Sequence, residues 1–263
     1  MDSTRRNFLK IAGLSVLGIA ARPVVDAVAQ SVQPQYVPGP NALVGKRWAM
    51  VVDQKKCLKA KENCKDCVMA CTLVHNIPQF PDEKDAVKWI WLTSYEHAFP
   101  GQENTYIESY VKDSLKGLPL VVLCNHCDNP PCVRVCPVQA TFKREDGIVM
   151  MDYHRCIGCR FCMAACPYGA RSLNWQDPRP FIKTELNREY PTRTRGVVEK
   201  CTFCFERLAK GQKPACVEAC KDKGLIFGDL EDPNSEVRQL LRTHPSIQRK
   251  PQLGTRPQVY YIL

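Results

Sequence analysis

Four short apolar runs, each followed by a group of cysteines, set the rhythm of this chain. The runs are Trp48-Ala49-Met50-Val51-Val52-Asp53, Leu120-Val121-Val122-Leu123, Ile148-Val149-Met150-Met151-Asp152 and Val197-Val198-Glu199. β-Branched residues are frequent in them, and Gly45, Pro119, Gly147 and Gly196 bound them, which reads as strand. After each cysteine group a helical turn is expected, started by the last cysteine. A second strand is expected at 140–143, 170–174 and 225–227. Arg144-Glu145-Asp146-Gly147 carries the Asp-Gly signal of a hairpin between two of these strands. The unit strand, cysteine loop, short helix, strand thus recurs four times.

The connecting segments differ. Residues 30–46 hold Pro34, Pro38, Gly39 and Pro40 and read as an extended arm. Residues 76–117 form an insertion with two strand-like runs, Val87–Thr93 and Thr105–Val111. Residues 177–196 read as an ordered loop. Asp232-Pro233-Asn234-Ser235-Glu236 signals a helix start, with the helix running to about Thr243. Val259–Leu263 reads as a final strand.

Composition adds one anomaly. With 263 residues, 44% hydrophobic and 24% charged, the chain is a folded one of one or two domains. After residue 30 no apolar run reaches the about 18 residues that a membrane-spanning helix needs. Cysteine, at 16 residues, is the exception. The N-terminus has its own pattern. Thr4-Arg5-Arg6-Asn7-Phe8-Leu9-Lys10 precedes a short apolar stretch, Ile11–Ala21, and then Ala27-Val28-Ala29. This is the plan of an export signal, with a stretch too short to span a bilayer. Its paired arginines resemble the twin-arginine address, which carries proteins across the membrane already folded.

The cysteines fall into four sets of four with none left over. They are Cys57-x6-Cys64-x2-Cys67-x3-Cys71, Cys124-x2-Cys127-x4-Cys132-x3-Cys136-Pro137, Cys156-x2-Cys159-x2-Cys162-x3-Cys166-Pro167 and Cys201-x2-Cys204-x11-Cys216-x3-Cys220. The third matches the bacterial ferredoxin run without deviation. Three thiolates on a wrapped loop cap three corners of a cubane, and the fourth cysteine points away to the other cluster of a pair. The proline after it cannot donate a backbone hydrogen bond and redirects the chain. Thr72 and Lys221 stand where the second and third sets have proline. Eight disulfides are a poorer reading, because disulfide frameworks staple small chains and have no reason to repeat this spacing. Structural zinc fits the fourth set alone best, since four cysteines packed as tightly as in the second and third sets suit it poorly.

Other chemistry is sparse. His126 and His154 lie beside cysteines, where an imidazole could hydrogen-bond a cluster sulfur, although a loop role is the plainer reading. Trp48, Trp89, Trp91 and Trp175 read as core residues. No phosphate-binding glycine loop, nucleophile elbow or His-Glu-x-x-His pattern is found. Four thiolates per cluster leave no iron open, so no substrate-binding catalytic site is expected. The net charge of +10 falls to +8 without residues 1–29. Four oxidised clusters at about −2 each, counting their thiolates, bring it near zero, and a nucleic-acid partner is not required.

The cysteine order, with Cys-Asn-His-Cys-Asp-Asn-Pro-Pro-Cys at 124–132 and Cys-Ile-Gly-Cys-Arg-Phe-Cys-Met-Ala-Ala-Cys-Pro-Tyr-Gly-Ala at 156–170, resembles the four-cluster ferredoxin-like subunits of dimethyl sulfoxide, nitrite, polysulfide and tetrathionate reductase systems. More narrowly, Trp48–Cys57, Pro191–Cys201 and Gly228–Val237 are similar to the DsrO group, periplasmic iron–sulfur subunits of the sulfite-reduction-associated DsrMKJOP complexes. The resemblance implies an α+β fold of two bacterial-ferredoxin-like 2[4Fe–4S] modules. The inner module (118–176) would be inserted in the outer one (47–75 and 197–230), with a C-terminal extension at 231–263. It implies four ligand sets. Cluster A takes Cys57, Cys64, Cys67 and Cys220, and cluster B takes Cys201, Cys204, Cys216 and Cys71. Cluster C takes Cys124, Cys127, Cys132 and Cys166, and cluster D takes Cys156, Cys159, Cys162 and Cys136. It also implies an electron-transfer role at the periplasmic face of the membrane, between a multihaem cytochrome c and an NrfD-like, quinone-reactive integral subunit. A molybdopterin oxidoreductase is the alternative setting.

Overall fold

A computed structural model of the chain describes residues 39–59, 64–100 and 116–263. The export-signal residues, Ala27–Ala29 and the run Thr105–Val111 lie outside the described residues. The strands among those described are β1 (Trp48–Asp53), β2 (Ile90–Ser94), β3 (Pro119–Leu123), β4 (Thr141–Lys143), β5 (Val149–Met151), β6 (Ser172–Leu173), β7 (Val198–Glu199), β8 (Leu225–Asp229) and β9 (Val259–Ile262). The fold is mixed α and β, with small sheets. Residues 40–263 form one compact unit, and the following concerns it alone.

β1 is the centre of the largest sheet. It pairs antiparallel with β8 and parallel with β9. Its side chains alternate between two apolar layers, as a strand covered on both faces requires. Trp48, Met50 and Val52 face the main core, which also takes in Cys67, Cys71, Cys201 and Cys216. Ala49 and Val51 face the other way, with Ile226, Leu230 and Val237. The helix Glu236–Thr243 covers that second layer. Its N-cap is Ser235, whose hydroxyl accepts the Arg238 N–H at 3.1 Å.

The remaining sheets are two-stranded: β2 with β3, β4 with β5, and β6 with β7. β4 and β5 form the hairpin read from the sequence, turning through Gly147 at φ +83°. β6 follows the third cysteine set and β7 precedes the fourth, so this pair ties the two expected modules together. The insertion supplies β2 as the partner of β3. It begins at Ile90 and not at Val87, because Lys88 N–H donates to Ser172 Oγ at 3.0 Å and the Trp89 indole donates to Glu199. Among the described residues, no helix is long and apolar enough to cross a membrane.

Candidate metal centres

All sixteen cysteines are free thiols, either buried or half-buried. The loops that carry them share one backbone device. In the three sets whose first two cysteines are two residues apart, the residue before the second cysteine has positive φ: His126 at 40°, Gly158 at 67° and Phe203 at 53°. This conformation folds the loop back so that both thiols face the same side. Only Gly158 announces it in the sequence. A Cβ there would also fall 2.3 Å from the Gly196 carbonyl oxygen.

The third cysteine of every set lies in a short helix: Cys67 in Asp66–Val74, Cys132 in Pro131–Arg134, Cys162 in Phe161–Ala164 and Cys216 in Ala215–Glu218. This corrects the expectation that the fourth cysteine starts the helix. In three sets it follows the helix end, whereas Cys71 of the first set lies within its helix. The eleven-residue gap of the fourth set is an ordered loop. Arg207 pins it by donating to the Lys213 carbonyl at 2.9 Å and by pairing with Glu218.

Backbone N–H groups point at several sulfurs. Ala140 N–H donates to Cys136 Sγ at 3.2 Å and Gly224 N–H to Cys220 Sγ at 3.1 Å. Phe203 N–H donates to Cys201 Sγ and Ala215 N–H to Cys204 Sγ, both at 3.4 Å. For several thiols the neighbours cross between sets. Burial pushes Cys57 up to about 12, and Cys220, Cys67, Asp53 and Cys64 push the same way. Burial lifts Cys67 to about 11, reinforced by Cys220 and Cys64. Burial raises Cys71 well above its ordinary value, and Cys204, Cys201, Cys216 and Cys67 push the same way. Burial raises Cys127 to about 12, with Cys124, Cys132 and Cys166 beside it. A small pocket is lined by Cys136 from the second set together with Cys156, Cys159 and Cys162 from the third, with Val138 and Met151 beside them.

Thiolates buried side by side would repel one another, so these thiols hold their protons unless a cation lies between them. A donor set made of soft sulfurs, with N–H groups aimed at the sulfurs, fits iron–sulfur clusters. Cys57, Cys64, Cys67 and Cys71, Cys124, Cys127, Cys132 and Cys136, Cys156, Cys159, Cys162 and Cys166, and Cys201, Cys204, Cys216 and Cys220 are the residues that would hold them.

The two histidines singled out in the sequence touch no sulfur. His126 is buried, stacks on Phe203 at 3.7 Å between ring centroids, and accepts the Val149 N–H on Nδ1. Burial, with Lys200 and Arg171 nearby, keeps it neutral. His154 is exposed. Trp48 and Trp89 are core residues, whereas Trp175 is exposed beneath the Arg160 guanidinium.

Sequence reasoning missed a third histidine. His75 Nδ1 lies 3.0 Å from the Cys71 carbonyl oxygen and 3.5 Å from Cys71 Sγ. The carbonyl only accepts, so Nδ1 carries the proton. Nε2 meets Glu206 Oε1 at 3.0 Å, a contact that needs one proton between the two. The ring packs against Trp89 and edge-on to Tyr190. Beside it, Arg193 pairs with Glu199 at 2.8 Å, both fully buried. The only signal in the sequence was spacing, since His75 stands four residues after Cys71.

These cysteine cages define an iron–sulfur protein of the ferredoxin type. The family model described as a 4Fe-4S dicluster domain matches residues 118–181 and 184–230. The iron–sulfur subunit 1 of the Hdr-like menaquinol oxidoreductase of Archaeoglobus fulgidus is 42% identical over 98% of this chain and 97% of its own length. One subunit of the tetrathionate reductase of Salmonella typhimurium is 36% identical over 100% and 89%. The iron–sulfur cluster-binding subunit of the menaquinone reductase of Nitratidesulfovibrio vulgaris is 38% identical over 82% and 88%. The chain belongs to this family of iron–sulfur electron-transfer subunits of quinol oxidoreductases and related reductases.

Proposed function

We propose that the chain holds four [4Fe–4S] clusters and relays single electrons between an extracytoplasmic redox partner, such as a multihaem cytochrome c, and an NrfD-like, quinone-reactive membrane subunit. The ligand sets are Cys57, Cys64, Cys67 with Cys220; Cys201, Cys204, Cys216 with Cys71; Cys124, Cys127, Cys132 with Cys166; and Cys156, Cys159, Cys162 with Cys136. The observation that carries this reading is the crossing of the fourth cysteines. Cys71 has Cys204, Cys201 and Cys216 as its main thiol neighbours, and Cys136 shares a cavity with Cys156, Cys159 and Cys162. A [4Fe–4S] cluster bound by four thiolates takes up and releases one electron at a time and leaves no iron open to a substrate.

The residues around the cysteines suit approach by partners. Ile157 and Phe161 are exposed within the third cysteine loop, and Leu58, Met69 and Leu73 around the first. Apolar side chains at the rim of a redox site mark surfaces that a partner covers. The likeness to a menaquinol oxidoreductase subunit over nearly the whole chain favours a quinol-linked complex, and the resemblance of the 48–57, 191–201 and 228–237 segments favours the DsrO group. The likeness to the tetrathionate reductase protein supports the alternative, a molybdopterin oxidoreductase. The Arg5-Arg6 pair supports twin-arginine export, which would put the chain at the periplasmic face, held there by partner subunits.

Iron and acid-labile sulfide assays on anaerobically purified protein test the reading. About sixteen of each per chain are expected for four cubanes. A reproducible value of about twelve means that one set is not a cubane site. Co-purification with a multihaem cytochrome separates the first setting from the molybdopterin alternative. Replacing Arg5 and Arg6 with Lys is expected to leave holo-protein in the cytoplasm.

A further inference from the structure

Two of the buried cations lie among the thiolates and, among the described residues, pair with no carboxylate. Arg171 is 5% exposed. Its Nη2 donates to Thr141 Oγ1 at 2.7 Å, and Nη1 lies 3.7 Å from Met151 Sδ. The guanidinium faces Cys132 and Cys162, which stand in different ligand sets, and also Cys124. Lys200 is fully buried. Its Nζ donates to the carbonyls of Val149 and Cys201, the latter at 2.6 Å. The cysteines that face it are Cys124, Cys201 and Cys132, again from two different sets, and the Arg171 guanidinium faces it as well. Arg193 shows the ordinary solution, a buried guanidinium paired with the Glu199 carboxylate.

A buried cation without an anion is costly, and carbonyl and hydroxyl dipoles offset only part of that cost. The chain places two such cations at the junctions between thiolate groups, so the compensating anions are the metal centres themselves.

We propose that Arg171 and Lys200 are fixed counter-charges shared between neighbouring iron–sulfur sites. Arg171 serves the site of Cys124, Cys127, Cys132 and Cys166 together with that of Cys156, Cys159, Cys162 and Cys136. Lys200 serves the first of these together with the site of Cys201, Cys204, Cys216 and Cys71. This rests on the four-cluster reading above. A cation held at short range in a low-dielectric interior favours the more negative, reduced form of the group beside it. The site that faces both cations gains most, and the site of Cys57, Cys64, Cys67 and Cys220, which faces neither, gains nothing. The two residues thereby set the relative potentials of adjacent sites without touching a substrate.

The test compares Arg171→Gln and Lys200→Met with Arg171→Lys in the full-length holo-protein, using iron content first and redox titration followed by electron paramagnetic resonance second. Arg171→Gln is expected to move the signals of two sites to lower potential. Lys200→Met is expected to move two as well, with only one site common to both variants. Arg171→Lys, which keeps the charge, is expected to stay close to wild type. If Arg171→Gln loses iron while Arg171→Lys keeps it, the charge is what holds the thiolates, and the proposal stands. It is overturned if the neutral variants load fully with unmoved potentials, if all four signals move together, or if Arg171→Lys loses as much iron as Arg171→Gln. Wild-type protein short of four clusters would instead break the four-cluster reading, and the iron assay reports that before any variant is made.

Discussion

After Cys136, Cys166 and Cys220 the chain turns within three residues, whereas after Cys71 it runs on as helix through Val74. In the three turning sets, the N–H three residues on bonds the cysteine carbonyl: Gln139 to Cys136, Gly169 to Cys166 and Lys223 to Cys220, at 3.1 to 3.4 Å. That third residue has positive φ each time, and the N–H of the fourth faces the sulfur. In the first set, His75 N–H bonds the Cys71 carbonyl as an ordinary helical bond at 3.1 Å, and positive φ is delayed to Asn76. Among the described residues no backbone donor is then left for Cys71 Sγ, and the His75 ring stands in that place. Proline is not what separates the two kinds, since Lys221 follows Cys220 and the turn forms all the same. What separates them is where the helix stops: before the fourth cysteine in three sets, and three residues after it in one.

The largest effect comes from breaking the crossing that both kinds of turn serve. Cys166→Ser and Cys71→Ser each keep the size of the side chain and exchange a soft sulfur for a hard oxygen. Cys166→Ser is expected to perturb the site of Cys124, Cys127 and Cys132, and Cys71→Ser that of Cys201, Cys204 and Cys216. In each case a three-iron signal or a shifted potential appears in electron paramagnetic resonance. If Cys166→Ser disturbs the site of Cys156, Cys159 and Cys162 instead, the crossing is absent.

Next in size is Thr72→Pro. It gives the first set the residue that follows the fourth cysteine in the second and third, but inside a helix. Thr72 is buried, and its hydroxyl already bonds back to the Val68 carbonyl at 3.0 Å. A proline there removes a helical N–H and crowds that carbonyl, a loss of about 3 kcal/mol. Chemical denaturation of the holo-protein reads it. A near-neutral result would mean that the helix beyond Cys71 is not needed.

Much of this contrast could not be read in advance. The cysteine spacings and the runs at 48–53, 120–123 and 225–227 were legible, and the strands formed there run over Trp48–Asp53, Pro119–Leu123 and Leu225–Asp229. The partners of β1 were not, since β8 and β9 come from the far end of the chain and nothing local encodes their register. The left-handed turns at His126, Gln139, Phe203 and Lys223 carry no glycine, so tertiary packing imposes what local preference opposes. Lys200, between a glutamate and a cysteine, looks like a surface lysine until β7 is buried on both sides. Asp66–Val74 outlasts its counterparts because His75 and Asn76 are fixed from outside. Arg193 donates to both of their carbonyls, and Asn76 donates to Asn187 and Tyr190.

A smaller effect is expected from His75→Leu, which fills the space between Trp89 and Tyr190 but offers Cys71 no donor. Losing a hydrogen bond of about 1 kcal/mol to a thiolate corresponds to about 40 mV for a one-electron couple. The potential of the Cys71 site is expected to fall by that order, with the Cys57 site unmoved. An unmoved Cys71 site would reduce His75 to a packing residue.

The smallest effect is the counterpart of the proline test. Lys221 is exposed and follows Cys220, which lies beyond the end of the Ala215–Glu218 helix. Its N–H takes no part in the turn, which is closed by the N–H groups of Lys223 and Gly224. Pro137 and Pro167 occupy the same place in the two turns with the same bonds. Lys221→Pro is therefore expected to leave iron content unchanged. Its effect on stability should lie between zero and a gain of about 1 kcal/mol, because proline restricts the unfolded chain without straining a turn that accepts it. The same substitution one residue past the fourth cysteine would then cost about 3 kcal/mol in one set and nothing in another. A destabilisation by Lys221→Pro as large as that of Thr72→Pro would show that the turn after Cys220 only imitates the proline turns, and that the position of the helix end is not what divides the four sets.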